Sequence, residues 1–491
     1  MSKLILEENY NLPKGWHVSS IGDVTENSQY GWTTSASKTG KIKLLRTTDI
    51  TSGIIDWKTV PFCKSEPKEL EKYILQNGDI VISRAGSVGV SYLIKDPEKA
   101  IFASYLIRFK PLINSTYLSY FLQSSMYWND IKEKSSGIAL LNVNATKIRQ
   151  ILIPVAPINE QKRIVSKIEE LFSKLDFNLE LLQKLNEKIM LYKSSLRESA
   201  FKGELTEIWR KKNNDKMNSF QSKRESIIER LKIIPSQEKS DSKIPHSWIW
   251  IKFGALYESA KNGLAKRHST DGMPTPVLRL ADIANNEISE NSFREIKLTE
   301  IERGRYLLDK NDLVCIRVNG SENLVGRMIV CHTHRKLAYS DHFIAYKTIK
   351  EIILSSYLQE YFNTNTVRKH IRFNKVSSAG QNTVSQPTIS ETDIPVPTIS
   401  EQETILKILE NHYSISNYIL TIIENSTKQC IALKNIILMK AFEGKLVPQD
   451  PNDESAEVLL QKIKQEKEKL QEIQKVSKIK PFKSRRIKNA K

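Results

Sequence analysis

Apolar residues along two stretches of this chain fall in steps of four and three, the spacing of a heptad seam on a helix. The first seam runs through Ile164, Ile168, Leu171, Leu175, Leu182, Leu185, Ile189, Tyr192 and Leu196, with Asn178 holding the place between Leu175 and Leu182. The second is less regular: Ile405, Leu409, Ile419, Ile423, Leu433 and Ile437, with His412, Ser416 and Ser426 between them. Asn159 stands at an N-cap position, Ser400-Glu401-Gln402-Glu403 reads as a capping box, and Gly203 and Gly444 are stop signals. Each predicted helix has roughly 43 residues and a length of about 65 Å. A stripe that long needs a partner in water. The nearest partner is the other helix, so the two are expected to pair; the alternative is two separate bundles, each packed on its own domain.

The rest of the chain repeats in the same order. Leu12-Pro-Lys-Gly-Trp16 answers to Ile244-Pro-His-Ser-Trp248, and Leu44-Leu-Arg-Thr-Thr-Asp-Ile50 to Val277-Leu-Arg-Leu-Ala-Asp-Ile283. Asn77-Gly-Asp-Ile-Val-Ile-Ser-Arg84 answers to Asn311-Asp-Leu-Val-Cys-Ile-Arg317. The tightest matches are Ile153–Gln161 with Ile394–Gln402 and Ala200–Leu205 with Ala441–Leu446, both at an offset of 241. A period this long excludes a solenoid. The expected order is a globular part (1–153), a long helix (154–205), a polar linker with a short helix at Arg224–Ile234 (206–243), a second globular part (244–393), a second long helix (394–448), and a terminal helix with a basic tail (449–491). Short β-rich runs such as Asp79–Ser83, mixed with helical stretches such as Tyr117–Asp130, give an α+β class.

With 491 residues, 40% hydrophobic and 27% charged, the composition is that of an ordinary globular protein of two to four domains. The net charge of +19 favours a polyanionic partner. Much of it is concentrated at the end, where Gln461–Lys491 holds twelve basic and three acidic residues. Four scattered cysteines without a CxxC pair argue against a disulfide scaffold and fit a reducing cytoplasm. There is no leader-like apolar region and no long uninterrupted apolar run, so no membrane span is expected.

Motifs for chemistry are lacking. The chain has no GxxxxGK[ST] loop, no strand-borne GxGxxG, and no Pro-Pro for the tetrad that holds a target amine in amino-methyltransferases. Cys331-His332-Thr333-His334 splits its ligands between two faces of a strand, so no metal is expected. Arginines recur instead: Arg46 and Arg279 in R-x-x-D-I, and Arg84 and Arg317 at strand ends. Their planar forks suit guanine edges or phosphates. The alternative is a fold-holding pair with a carboxylate, Arg46 with Asp49 being an obvious case. Small polar turns follow or accompany them, at Ser87, Ser136, Asn319, Ser321, Ser378 and Gln381.

Taken with the Glu160-Gln161 and Glu401-Gln402 helix starts, the Ala-Phe-x-Gly-x-Leu helix ends, and Arg317-Val-Asn-Gly-Ser321 followed by Val325-Gly326, the pattern resembles the specificity subunit of type I restriction-modification enzymes. The resemblance implies two target recognition domains and two long helices forming an antiparallel coiled-coil spacer, related by a pseudo-twofold axis. It implies a cytoplasmic DNA-binding subunit without catalysis of its own, recognising an asymmetric bipartite duplex target. It further implies that two methyltransferase subunits and two restriction/translocase subunits dock on it. This chain would bind no cofactor; S-adenosylmethionine, ATP and Mg2+ would sit on those partners. A duplicated coiled-coil scaffold that binds only proteins is the rival expectation.

Overall fold

The computed structural model describes residues 12–135, 142–236, 244–284, 287–289, 293–333, 335–378 and 380–478. The chain divides into two compact units, residues 1–182 with 425–491 and residues 183–424. Each unit holds one globular part, a segment of both long helices, and the residues that follow the other part's helix.

The two globular parts have the same plan. In the first, His17–Ser20 pairs antiparallel with Leu152–Val155, next to the start of the long helix. A four-stranded sheet runs Gln29–Tyr30, Leu106–Phe109, Ile80–Ser83, Ser91–Leu93, and a second joins Ala36–Ser37, Phe62–Cys63, Lys43–Leu45 and Ala100–Phe102. In the second part, Ile249–Lys252 pairs with Asp393–Val396. Its main sheet runs Tyr257–Asn262, Phe343–Thr348, Leu313–Ile316, Met328–Val330, and a three-stranded sheet joins Arg294–Leu298, Met273–Leu278 and Ala338–Tyr339. The central strands Ile80–Ser83 and Leu313–Ile316 are buried on both faces, which is why they read as continuous apolar runs.

The tight turn before each central strand is built alike. Asp79 Oδ2 accepts from the Gln76 N–H (2.9 Å) and Asp312 Oδ2 from the Asp309 N–H (2.8 Å). Burial pushes both carboxyls up, against those hydrogen bonds. The residue before the aspartate needs positive φ: Gly78 supplies it at 88° and Asn311 at 71°.

Some elements differ from the sequence expectation. The Tyr117–Asp130 stretch is two helices, Ser115–Phe121 and Ser125–Ser135. The linker helix is Asn214–Arg230, and the terminal one is Ala456–Lys478. The long helices span Ile158–Phe201 and Ile399–Phe442, 44 residues each. Both begin one residue before the expected caps, so Asn159 and Ser400 lie inside the first turn. Gly203 (φ 77°) and Gly444 (φ 69°) follow the two helix ends in the left-handed conformation.

Within each unit the helix segments run antiparallel. In the first unit, Ile164 and Ile168 share a core with Leu438, Ala441 and Phe442, and Lys434 reaches Asp176 and the Phe172 ring. In the second, Leu196, Ala200 and Phe201 share a core with Ile405 and Leu409, and Tyr192 meets His412 at 2.8 Å. Leu171, Leu175 and Leu182 are half-buried and Ile189 is buried, but Asn178 and Leu185 are exposed; Leu179 and Asn186 are the half-buried residues there. On the partner helix Ile423 is buried and Ile419 and Ile437 are half-buried, whereas Leu433 is exposed and Lys434 lies in its place. A helix of 3.6 residues per turn drifts by about 20° per heptad against a strict 3.5-residue repeat, so the seam moves to the adjacent position.

The Glu-Gln pair at each helix start ties the unit together. Gln161 accepts from the Asn114 N–H (3.1 Å) and donates to the Ala156 carbonyl (2.8 Å); Gln402 does the same with Leu354 (2.9 Å) and Ile352 (2.8 Å). Glu160 accepts from Trp16 Nε1 (3.0 Å) and Gln449 Nε2 (2.8 Å), and Glu401 from Thr206 Oγ1 (2.7 Å) and Arg210 Nη1 (2.5 Å). Each carboxylate thus fixes the segment that follows the other long helix. Phe442 packs edge-on to Tyr117 and Phe121, and Phe201 to Tyr357 and Tyr361. This accounts for the Ala-Phe-x-Gly-x-Leu motif: its phenylalanine is a core plug.

Candidate nucleic-acid interface

The R-x-x-D-I arginines are pinned. Arg46 donates from its backbone N–H and Nε to Asp49 Oδ2 (2.8 and 3.0 Å) and from Nη2 to Oδ1 (2.7 Å). Arg279 and Asp282 repeat the arrangement at 2.8, 3.1 and 2.9 Å. The hydrogen bonds to each aspartate raise the guanidinium above its ordinary value. One edge of each fork is therefore spent on the fold, although both side chains are 40% exposed.

The second pair of arginines is held differently. Arg84 lies over the Tyr30 ring, 5.1 Å from its centroid, and its buried Nε has no hydrogen-bond partner among the described residues. Beyond it, Ala85, Gly86 and Ser87 line a cleft of about 360 Å³ together with Thr47, Thr48, Thr51 and Tyr105. The turn after Arg46 and the turn after Arg84 thus meet in one concave surface, where Tyr105 is 61% exposed. Ser136 lies outside the described residues.

In the second part, Arg279 lines a cleft of about 270 Å³ with Lys266, Arg267, Arg294, Ser340 and His342. Opposite charges hold these cations in place: Lys266 pairs with Glu302 (3.0 Å) and Arg267 with Asp341 (2.8 Å). The Arg317 backbone N–H donates to the His342 carbonyl (2.7 Å). Immediately after Arg317, Val318–Asn319 pairs with Gln381–Thr383, which pairs in turn with Val376–Ser378. Asn382 Nδ2 donates to the Gly320 carbonyl (3.0 Å), and the Ser321 N–H to Asn319 Oδ1 (2.8 Å). The Arg317–Ser321 turn and the Ser378–Gln381 hairpin, far apart in sequence, thus form one sheet.

Tyr30, Tyr105, Lys266, Arg267 and Arg294 were not singled out by sequence reasoning, because no repeated motif marks them. Cys331 and Thr333 are buried and His332 is exposed, and no cluster of three metal-ligating side chains occurs among the described residues. No helix among them is long and apolar enough to cross a membrane.

Comparison with known proteins agrees with the duplication. A family model described as the type I restriction modification DNA specificity domain matches twice, at residues 13–187 and 252–427. The specificity subunit of type I restriction enzyme StySPI from Salmonella potsdam is 28% identical over 477 residues, covering 93% of this chain and 96% of that protein. The EcoKI specificity subunit of Escherichia coli K12 is 26% identical over 480 residues, with the same coverage. Among solved structures, a chain from a study of assembly and conformational transition of the type I R-M system superposes with a TM-score of 0.63 at 16% identity, covering 89% of this chain and 99% of that one. The HsdS subunit from Thermoanaerobacter tengcongensis superposes at 0.52 and 15%, covering 90% and 100%. With both copies matched over most of its length, the chain belongs to the type I restriction-modification DNA specificity family.

Proposed function

We propose that the chain is the non-catalytic address of a type I restriction-modification complex, in which each globular part reads one half-site of an asymmetric, bipartite duplex target. The observation that carries this is the contrast within the duplication: the buried devices repeat in kind and place, while the exposed clefts and turns do not. Like scaffolds with unlike surfaces suit two different half-sites, and the coiled coil sets the unread gap between them. The arginines at strand ends, the small polar turns and the basic cleft of the second part supply donors for base edges and phosphates.

The long helices leave Phe177, Leu191, Ile415 and Tyr418 largely exposed. Apolar exposure on a coiled coil suits docking of large partners, which supports two methyltransferase subunits and two restriction/translocase subunits assembling there. S-adenosylmethionine, ATP and Mg2+ belong to those subunits' chemistry. The basic C-terminal end is a sequence-independent DNA or partner contact.

Selection from random duplex pools, with and without methyltransferase subunits, tests this function: a two-block motif is expected, and enrichment of no motif contradicts it. Deleting one heptad from both long helices removes about 10 Å, or about three base pairs, from the spacer. The gap is expected to shorten while the half-sites stay unchanged; an unaltered gap refutes the ruler role.

A further inference from the structure

The most exposed aromatic ring described is Phe373, 90% accessible at the end of the helix Asn365–Asn374. This helix is anchored on its other side. Val367 and Ile371 are buried, Arg368 Nη2 donates to the Asn323 carbonyl (3.1 Å), and Gly326 abuts Ile371 so closely that a Cβ there would lie 2.7 Å from it. The opposite face offers Lys369, Arg372 and Phe373 to solvent. Lys375 then welds the helix to the hairpin, donating to Ser377 Oγ (2.9 Å) and Asn382 Oδ1 (2.7 Å) and pairing with Glu322 (3.2 Å). Val376, 67% exposed, shares a strand face with Ser378.

From residue 365 to 383 there is no aspartate or glutamate, against Arg368, Lys369, Arg372 and Lys375. An exposed ring flanked by Lys369, Arg372 and Lys375, the last two paired with Glu322 (2.9 and 3.2 Å), suits a polyanion with an apolar feature. Duplex DNA has one: the thymine C5 methyl, displayed in a major groove that admits a helix or a two-stranded ribbon. Among the described residues, the corresponding helix of the first globular part, Ser125–Ser135, carries no exposed ring at that place. Its buried Tyr127 and Ile131 match Val367 and Ile371, which puts Glu133 at the place of Phe373.

We propose that the helix Asn365–Asn374 and the paired strands Val376–Ser378 and Gln381–Thr383 are the base-reading element of the second globular part, with the Phe373 ring against a thymine methyl of its half-site. This rests on that part being a DNA reader. The test uses the full chain with its methyltransferase subunits on its mapped target, with each thymine replaced in turn by uracil, which lacks only the methyl.

In the wild type, one replacement in one half-site is expected to weaken binding about three- to tenfold. Phe373→Ala should weaken target binding by a similar factor, leave non-target binding unchanged and abolish that uracil effect, while Phe373→Leu keeps most of it. Lys369→Ala should weaken binding to every sequence and lower the salt dependence. The assignment falls if Phe373→Ala binds and responds to uracil as the wild type does, or if no thymine is uracil-sensitive. It falls equally if the variant loses its methyltransferase subunits while its own DNA affinity is intact, since the ring would then be a protein contact. A wild-type complex without sequence preference would instead refute DNA reading itself.

Discussion

The first and second globular parts carry the same buried devices. Asp79 and Asp312 cap the turn before the central strand, Gln161 and Gln402 clamp the helix start, Phe442 and Phe201 plug a tyrosine cluster, and Tyr117 and Tyr357 donate to the Pro154 and Pro395 carbonyls (2.9 and 2.7 Å). Their surfaces diverge. Arg84 lies on Tyr30 beside an open cleft lined by Ala85, Gly86, Ser87 and Tyr105, whereas Arg317 leads into a hairpin sheet; Trp128 matches Arg368, and Glu133 matches Phe373. Packing and hydrogen-bond satisfaction constrain the first set in both copies alike. The second set lies at or near the surface, where packing constrains it less, so under the proposed function it can follow the bases each copy would meet.

The largest expected effect breaks what is shared. Phe442→Ala and Phe201→Ala each remove a buried ring from an aromatic cluster and should cost about 3–5 kcal/mol in denaturant unfolding. Comparable losses are expected from both; a cost under about 1 kcal/mol in one copy would mean that the plugs are not equivalent. Arg317→Ala comes next, with a loss of about 1–3 kcal/mol confined to one half-site, and Arg84→Ala should do the same at the other. Uniform loss on all sequences would make either arginine a phosphate contact.

Gly78→Ala, at φ 88°, should cost about 1 kcal/mol, whereas Asn311→Gly should change stability by only a few tenths. Equal effects would mean that the two turns bear different strain. The smallest effect is one of pH. Burial raises the Glu160 carboxyl, so the folded unit holds that proton more tightly than the unfolded chain does. Its contribution therefore favours folding as pH falls through the raised value and is lost as pH rises above it. Asp453, which accepts from Arg163 at 2.6 Å, is lowered and acts with the opposite sign: its stabilisation is present above about pH 4 and lost below. Glu160→Gln should flatten the first dependence in a stability titration just above the ordinary carboxylate range and leave the second unchanged.

The duplication, the two long helices and their glycine stops were legible because they leave repeated motifs or a helical period. The seam was legible at its ends, at Ile164, Ile168, Ile405 and Leu409, where it merges with domain cores. It slipped by one residue near Asn178, Leu185 and Leu433, because a four-three count over many turns ignores the drift of a straight helix. The candidate interface was legible only where its residues recur in both copies. Arg46 and Arg279 recur, but their fork is largely taken by an aspartate three residues on. Tyr30, Tyr105, Arg267 and Phe373 were invisible: exposure depends on which strand edge or helix face the tertiary fold leaves uncovered, and the meeting of residues 317–321 with 376–383 is a long-range pairing that no local pattern encodes.

Mapping every methylated base produced by the full chain with its methyltransferase subunits tests the central claim most directly. Two unlike half-sites separated by a fixed stretch of unread base pairs are predicted, one altered by Arg84→Ala and the other by Arg317→Ala. A palindromic motif, a single uninterrupted block, or methylation without sequence preference would contradict the account.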